Sequence, residues 1–306
     1  MILVTAANGN QGKRLIPKLL AAGAAVRACV RTEASAARLR AAGVADVVVG
    51  DLSNRQLMAR AMQGIDKVYH VGPTLDPSER DMGFAAVDAA RASGVKQFVL
   101  SSVLHAITTD LVQHEIKRDI EAHLLSSGLE FTILQPSNYM LSHRLRSAFE
   151  RRVFRLSWSL ERYQSLVDLD DVTEVVAIVL ADSERHAGAT YELVAPGRYT
   201  AHDLGKIISG VVGSKIAVEQ ISCDTFFKEV FGDAEQFPYQ ARAMRAISAR
   251  YSSHDFIGNP NVLGWLLGRP PTSYAQFVQS QYDAYQKNQH PFVGVNSPTG
   301  EPRHVA

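Results

Sequence analysis

The stretch "ILVTAANGNQGKR", residues 2 to 14, passes from an apolar β-branched segment through a turn of small residues into a basic, helix-forming one. Gly9 and Gly12 hold the last two positions of a glycine-rich turn, and Ala6 stands where a first glycine is usual, its methyl group being the smallest change available there. Small residues at these points let the backbone approach a pyrophosphate. A helix starting just behind them offers free N–H groups and the positive end of its dipole. A lone glycine pattern says little; its weight here comes from lying between a first strand and a first helix. The bland alternative is a tight turn that holds no ligand. On the first reading Thr5, Ala6, Asn8, Gly9, Asn10, Gln11 and Gly12 form a nucleotide-phosphate site.

Outward from that turn, short β-branched runs at 25–30, 44–51, 66–72, 97–102 and 130–137 alternate with helix-like segments near 11–22, 33–42, 54–63, 79–93 and 113–127. Strands that are apolar almost throughout, each joined to the next by a helix, indicate a parallel sheet covered on both faces. Gly23, Gly43, Gly64, Gly94 and Gly128 each follow a helical segment, where a left-handed residue ends a helix at little cost. The expected fold is therefore α/β, a doubly wound parallel Rossmann sheet with a smaller, mostly helical C-terminal substrate lobe. Residues 1–142 should form the nucleotide-binding domain, with 165–195 returning to it. Residues 143–164 and 196–290 should form the lobe, with 291–306 as an extended tail. Thr200 and Asp203 are spaced as a capping box.

Length and composition agree with this division. The 306 residues exceed an ordinary single domain, and 46% hydrophobic with 21% charged residues can build a large core. Lys plus Arg (32) nearly balance Asp plus Glu (31), so no global field draws the chain to nucleic acid or anionic lipid. The two cysteines, Cys29 and Cys223, make no disulfide framework and read as small buried side chains in a reducing compartment. The beginning "MILVTAANG" lacks a secretory signature, and no apolar run reaches the ~18 residues of a membrane span. A soluble, cytoplasmic protein, monomer or homodimer, is expected.

The end of the second strand bears on which nucleotide binds. An acidic residue there would hold the ribose of NAD, whereas the sequence supplies Arg31, with Lys13 and Arg14 behind the glycine turn. Cations suit the 2′-phosphate of NADP, so NADP(H) is preferred over NAD(H). Glu33 dissents, although it reads better as the start of a helix. Asp51 and Leu52 end the third strand, and Gly72 and Pro73 the fourth, at the carboxyl edge where open α/β sheets bind ligands. Asp51 is as readily a turn cap.

The glycine turn "AANGNQG", the fifth strand ending "VLSSVLH", a helix carrying Lys117, and "SSGLEFTILQPSNYM" together resemble the NmrA-like family of atypical short-chain dehydrogenases/reductases. The likeness is close over about the first 140 residues and less specific beyond. It implies a Rossmann domain that binds NADP(H) and a small lobe closing over the nicotinamide. The family divides into reductases of quinones, dyes or phenolic compounds and proteins that sense the redox ratio and regulate a partner.

The parent superfamily places tyrosine four residues before its lysine, on one helix face, as proton donor. Here that position is Gln113, which cannot act as an acid. His114, three residues before Lys117, shares the face and is the candidate replacement acid; as a helix-entry histidine it would have no chemical role. Lys117 is read as the ribose anchor, against a solvated lysine paired with Glu121. Ser101 and Ser102 are candidates to bond a carbonyl or the nicotinamide amide, Ser102 being grouped with Lys117 and His114 as catalytic; His105 is a weaker proton source. Pro136, Ser137 and Asn138 should lie at the nicotinamide end, and Tyr139 is a substrate wall or a core aromatic. Trp158, Phe226, Phe227, Tyr251 and Trp265 are further candidates for the pocket. Arg144, Arg146, Arg151, Arg152, Arg155 and Arg162 read as a solvated face rather than an anion site. No paired metal spacing and no G-x-S-x-G elbow appear, which argues against a metal centre and a hydrolase.

The leading expectation is an NADPH-dependent reductase of a small conjugated or aromatic carbonyl or quinone-type compound. Hydride transfer to such an activated acceptor needs orientation more than a strong acid. The alternative is a non-catalytic NADP(H) sensor acting through a protein partner. Nucleotide-sugar epimerase chemistry is disfavoured by the missing tyrosine.

Overall fold

The computed structural model describes residues 1–287. The expected tail at 291–306 and the last residues of the lobe lie outside them. The first half alternates β1 (Ile2–Val4), α1 (Gly12–Ala21), β2 (Val26–Val30), α2 (Glu33–Ala41), β3 (Asp46–Val49), α3 (Arg55–Ala61), β4 (Lys67–Val71), α4 (Glu79–Ala92), β5 (Gln97–Ser101), α5 (Val112–Leu125) and β6 (Phe131–Pro136). After β7 (Asn138–Tyr139) come α6 (Arg146–Arg151), β8 (Val153–Leu156), β9 (Leu166–Val167), α7 (Leu169–Ala181), α8 (Ser183–His186) and β10 (Ala189–Leu193). The rest holds α9 (Ala201–Val212), β11 (Ala217–Gln220), α10 (Cys223–Val230), α11 (Pro238–Ser253), α12 (Asn261–Leu267) and α13 (Tyr274–Gln286).

Seven parallel strands form one sheet in the order β10-β6-β5-β4-β1-β2-β3. The order turns back between β1 and β4, so the loops after those strands part and leave a crevice at their carboxyl ends. Successive strand residues face opposite layers. Val4 and Val99 join the core under α1 and α7, with Leu15, Leu19, Val172 and Val176. Leu3, Phe98 and Leu100 join the core under α3, α4 and α5, with Met58, Ala86 and Ile120. Burying each such side chain contributes about 1.5–3 kcal/mol, and this double burial is why the strands read as unbroken apolar runs.

Local chemistry sets the boundaries. Thr32, Asn54 and Ser222 each accept a backbone N–H at a helix start, and Thr200 with Asp203 makes the expected reciprocal capping box. The five helix-ending glycines all have φ between 69° and 95°. A third cluster, Leu75 with Phe227, Phe231 and Met244, packs α10 and α11 against the loop after β4. Gln240 Nε2 donates to the Leu75 carbonyl at 3.0 Å and ties that loop to the lobe.

Candidate functional site

The turn between β1 and α1 carries the local geometry of the site. Gly9 N–H donates to the Ala6 carbonyl at 2.8 Å, and Ala7 N–H to the Cys29 carbonyl at 3.0 Å. A Cβ on Gly12 would lie 2.2 Å from the Ala7 carbonyl oxygen, so only glycine lets α1 start this close to the turn. Ala6 has φ 44°. Its departure from glycine therefore matters through the backbone rather than through volume, since a left-handed L-residue costs about 1–2 kcal/mol. Ala6→Gly should raise the denaturation midpoint by about 1 kcal/mol of stability with the denaturant slope unchanged, as read in a urea titration.

A cleft of about 900 Å³ opens at this turn and is lined by Ala6, Asn8, Gly9, Asn10 and Gln11, by Arg31 after β2, and by Leu52, Gly72 and Pro73. Other expected residues stand elsewhere. Buried Thr5 bonds the Val71 backbone at 2.8 and 3.1 Å and so stitches β1 to β4. Gly12 is a packing glycine, and exposed Asp51 caps its own turn by accepting from Ser53 N–H at 2.9 Å. Neither residue, nor Thr5, lines the cleft. Arg14 is likewise corrected: it donates to the Asn10 carbonyl at 3.0 Å and pairs with Asp170 at 3.7 Å, and neither it nor Lys13 lines the cleft. Glu33 begins α2 and pairs with Arg40, as its position suggested.

Arg31 crosses the cleft mouth to Asp76 at 3.4 Å. Beside it Thr32 and Ser35 also line the cleft, and the Ser35 hydroxyl collects bonds from Asn8 (3.0 Å), Thr32 (3.1 Å) and Arg38 (3.1 Å). The sequence reading missed Thr32 and Ser35; hydroxyls opening a helix beside an arginine were the available signal.

A second cavity of about 1060 Å³ adjoins the first, because Gly72 and Pro73 line one and the next residues, Thr74 and Leu75, line the other. Ser102, His114, Lys117, Pro136, Asn138 and Tyr139 all line it, as does Gln113 where a tyrosine was to be sought. Trp158, Phe226 and Tyr251 supply aromatic walls. Phe227 instead stacks on Phe231 at 4.6 Å, and Trp265 is 75% exposed, so neither belongs to the pocket.

Lys117 is not the solvated lysine of the simpler reading. Its Nζ donates to the Ser101 carbonyl at 3.0 Å and lies 2.8 Å from Oε1 of Glu79, with both side chains almost fully buried. Glu121 bonds Ser102 and Gln135 instead. Gly72 makes room for the carboxylate, since a Cβ there would lie 2.8 Å from that same oxygen. Burial raises the Glu79 pKa, and the Lys117 charge opposes the rise. Although the charges are close, neither Glu79 oxygen has a well-aligned hydrogen bond among the described residues. Glu79 was missed by the sequence reading; nothing in its surroundings there sets it apart from an ordinary first-turn acid.

His114 Nδ1 lies 2.9 Å from the His105 carbonyl and 2.9 Å from the Thr108 hydroxyl. A carbonyl only accepts, so Nδ1 carries the proton and Nε2 of the neutral ring presents a lone pair. Burial also lowers the His114 pKa, favouring that neutral form. Gln113 is buried, and its Oε1 has no partner among the described residues. His105 lines neither cavity and holds the left-handed conformation at φ 57°.

Gln11 links the two cavities. Its amide donates to Ser101 Oγ at 3.0 Å and to the Tyr139 hydroxyl at 2.9 Å, and Tyr69 donates to its carbonyl oxygen. Ser101 thus points into this network rather than into either cavity. Burial pushes the Tyr139 hydroxyl above its ordinary range, against bonds from Ser101 and Gln11, so it stays protonated. Asn138 is engaged on both sides, with Gln164 at 2.8 Å and Tyr251 at 3.2 Å.

Among the described residues no three His, Cys, Asp or Glu side chains gather as a metal site, and no helix is long and apolar enough to cross a membrane.

The sheet order and the elements after it define a Rossmann-like protein with a largely helical C-terminal region. The model of the NmrA-like family matches residues 1–255, and the chain belongs to that family. It is similar to an NAD(P)H azoreductase of Xenophilus azovorans, 26% identical over 93% of this chain and 99% of the relative. A (4-alkanoyl-5-oxo-2,5-dihydrofuran-3-yl)methyl phosphate reductase of Streptomyces griseus is 31% identical over 73% of this chain and 78% of the relative. Among solved structures, the NADPH complex of the Escherichia coli quinone oxidoreductase QOR2 superposes with a TM-score of 0.78 at 25% identity, covering 92% of this chain and all of that one.

Proposed function

We propose that the protein is an NADPH-dependent reductase of conjugated carbonyl, quinone or azo compounds. The observation that carries this reading is a cleft at the glycine turn that lies beside an aromatic-walled cavity, residues 72–73 lining the one and 74–75 the other. The three relatives, named as reductases of an azo compound, an unsaturated lactone and a quinone, support the same class.

The residues fit the cofactor. The turn residues Ala6 and Asn8 to Gln11 that line the cleft, next to the start of α1, suit a pyrophosphate, Arg31, Thr32 and Ser35 suit a 2′-phosphate, and the unpartnered Gln113 Oε1 offers an acceptor to a carboxamide. When bound, reduced nicotinamide supplies the hydride. The chain's own part is to orient and to exclude water. Trp158 and Tyr251, packed edge to face with ring centroids 5.4 Å apart, form an aromatic wall for the acceptor, and Gln11 fixes Tyr139 beside it. Lys117 donates to the Ser101 carbonyl and pairs with Glu79, and we assign a remaining N–H of the ammonium to the ribose. Ser102 donates to Glu121 and so can only accept from a ligand. His114 is mostly neutral at pH 7, which makes it a weak acid there and an acceptor through Nε2. A quinone acceptor tolerates this, because its reduced anion is a phenolate stable enough to take a proton from water.

NADPH oxidation followed at 340 nm with quinone, enone and azo acceptors tests the reading. Turnover is expected with at least one class, and Arg31→Ala should weaken NADPH binding at least tenfold more than NADH binding. His114→Ala should lower turnover less than tenfold if water supplies the proton. Tight binding with no consumption across the panel would replace the enzyme by a redox sensor acting through a protein partner.

A further inference from the structure

Arg144 is the one member of the arginine group that lines the substrate cavity, and it also lines a third cavity of about 520 Å³ behind it. It sits in the 3-10 turn Ser142–Leu145, with its guanidinium 5.0 Å above the Trp158 ring. Its neighbours are matched differently: Arg146 pairs with Glu150, Arg155 with Glu229 and Arg162 with Asp255. Arg144 pairs with no carboxylate among the described residues, and its buried Nε has no hydrogen-bond partner. Neither cavity is lined by any Asp or Glu. Lys117, the other fixed cation of the substrate cavity, is already matched by Glu79.

An always-charged guanidinium held in an aromatic cavity is expensive unless something offsets it. The Trp158 face offsets only part of that cost, and the half-buried side chain leaves the rest of its charge to whatever enters the cavity. Burial lowers the Arg144 pKa, and the nearby hydroxyls of Tyr251 and Tyr274 do not supply a counter-charge because burial keeps both protonated. The missing partner is an anion that arrives with the ligand.

We propose that Arg144 is an anion subsite, and that the preferred acceptor is a planar conjugated ring bearing a carboxylate, sulfonate or similar acid group. The planar fork of the guanidinium would bind such a group through two parallel N–H bonds while the ring lies against the wall that Trp158 and Tyr251 form. This assignment of substrate class rests on the reductase reading above, but binding can be measured without turnover.

The test is calorimetric titration of the full chain, saturated with NADP⁺ so that no reduction occurs, with anthraquinone-2-sulfonate and with neutral 2-(hydroxymethyl)anthraquinone. The wild type should bind the sulfonate at least tenfold tighter. Arg144→Met should abolish that preference and Arg144→Lys should keep part of it, with melting curves confirming that both variants are folded. The ratio of kcat/KM for the two quinones should fall at least tenfold in Arg144→Met. No preference in the wild type, or an equal preference in Arg144→Met, overturns the subsite. A binding preference lost in Arg144→Met, with no NADPH consumed by any protein, keeps the subsite and removes the reductase.

Discussion

Lys117→Met should destabilise the protein by about 3–5 kcal/mol, because it leaves a carboxylate buried without its cation. Glu79 is 1% exposed, and Lys117 Nζ at 2.8 Å is the cation it faces. The double variant Lys117→Met/Glu79→Gln should recover most of that loss, since removing both charges removes the cost of burying either. A loss in the double variant as large as in the single one would show that the two residues are not coupled. The single variant should also acquire a pH dependence. Burial, the first cause of the raised Glu79 pKa, persists in it, while the opposing Lys117 charge is gone. A carboxyl with a raised folded-state pKa favours folding fully below its unfolded value of about 4.3, and this contribution is lost as pH rises through the folded value. Urea denaturation should therefore find Lys117→Met more stable at pH 5 than at pH 8.

Gly12→Ala should lower NADPH affinity at least tenfold and cost about 1–3 kcal/mol of stability. The added Cβ would meet backbone atoms, the Ala7 carbonyl oxygen at 2.2 Å and its carbon at 2.5 Å, and no rotamer change relieves that. The turn must move, and with it the cleft-lining residues Asn8 to Gln11. Gly9→Ala is the graded comparison, because its Cβ would stand 3.0 Å from the Ala6 carbonyl and needs only a small shift. Fluorescence titration with NADPH and thermal melting of both variants check the order. Equal affinities in Gly12→Ala and the wild type would mean that the turn tolerates displacement and that Gly12 is not needed for the nucleotide.

The sheet was legible because its determinants are local: unbroken β-branched runs, five glycines after helices, and a capping box at Thr200. The glycine turn between β1 and α1 was legible for the same reason. What escaped was set by side-chain direction across distant elements. Thr5 and Leu52 both lie at strand ends, yet Thr5 turns to the Val71 backbone and Leu52 to the cleft. Arg144 and Arg146 are two residues apart, yet one lines a cavity and the other pairs with Glu150. Lys117 was read as the ribose anchor, with Glu121 four residues on as its partner only in the simpler alternative, and the carboxylate it faces is Glu79 on α4. Helix-to-helix packing decides such partners, and periodicity along one helix does not contain it.

The place of β10 has a consequence for how the chain comes into being. β10 pairs with β6 over Thr132 to Pro136, although the lobe's first segments intervene in the chain. Until Ala189–Leu193 leaves the ribosome, β6 presents an open row of backbone donors and acceptors, the kind of edge that recruits strands from other molecules. A fragment cut at the apparent domain boundary near 142 would keep that edge permanently. The first half of the chain thus carries the residues that line the first cleft but depends on a strand from beyond the boundary to close the side of the sheet it leaves exposed.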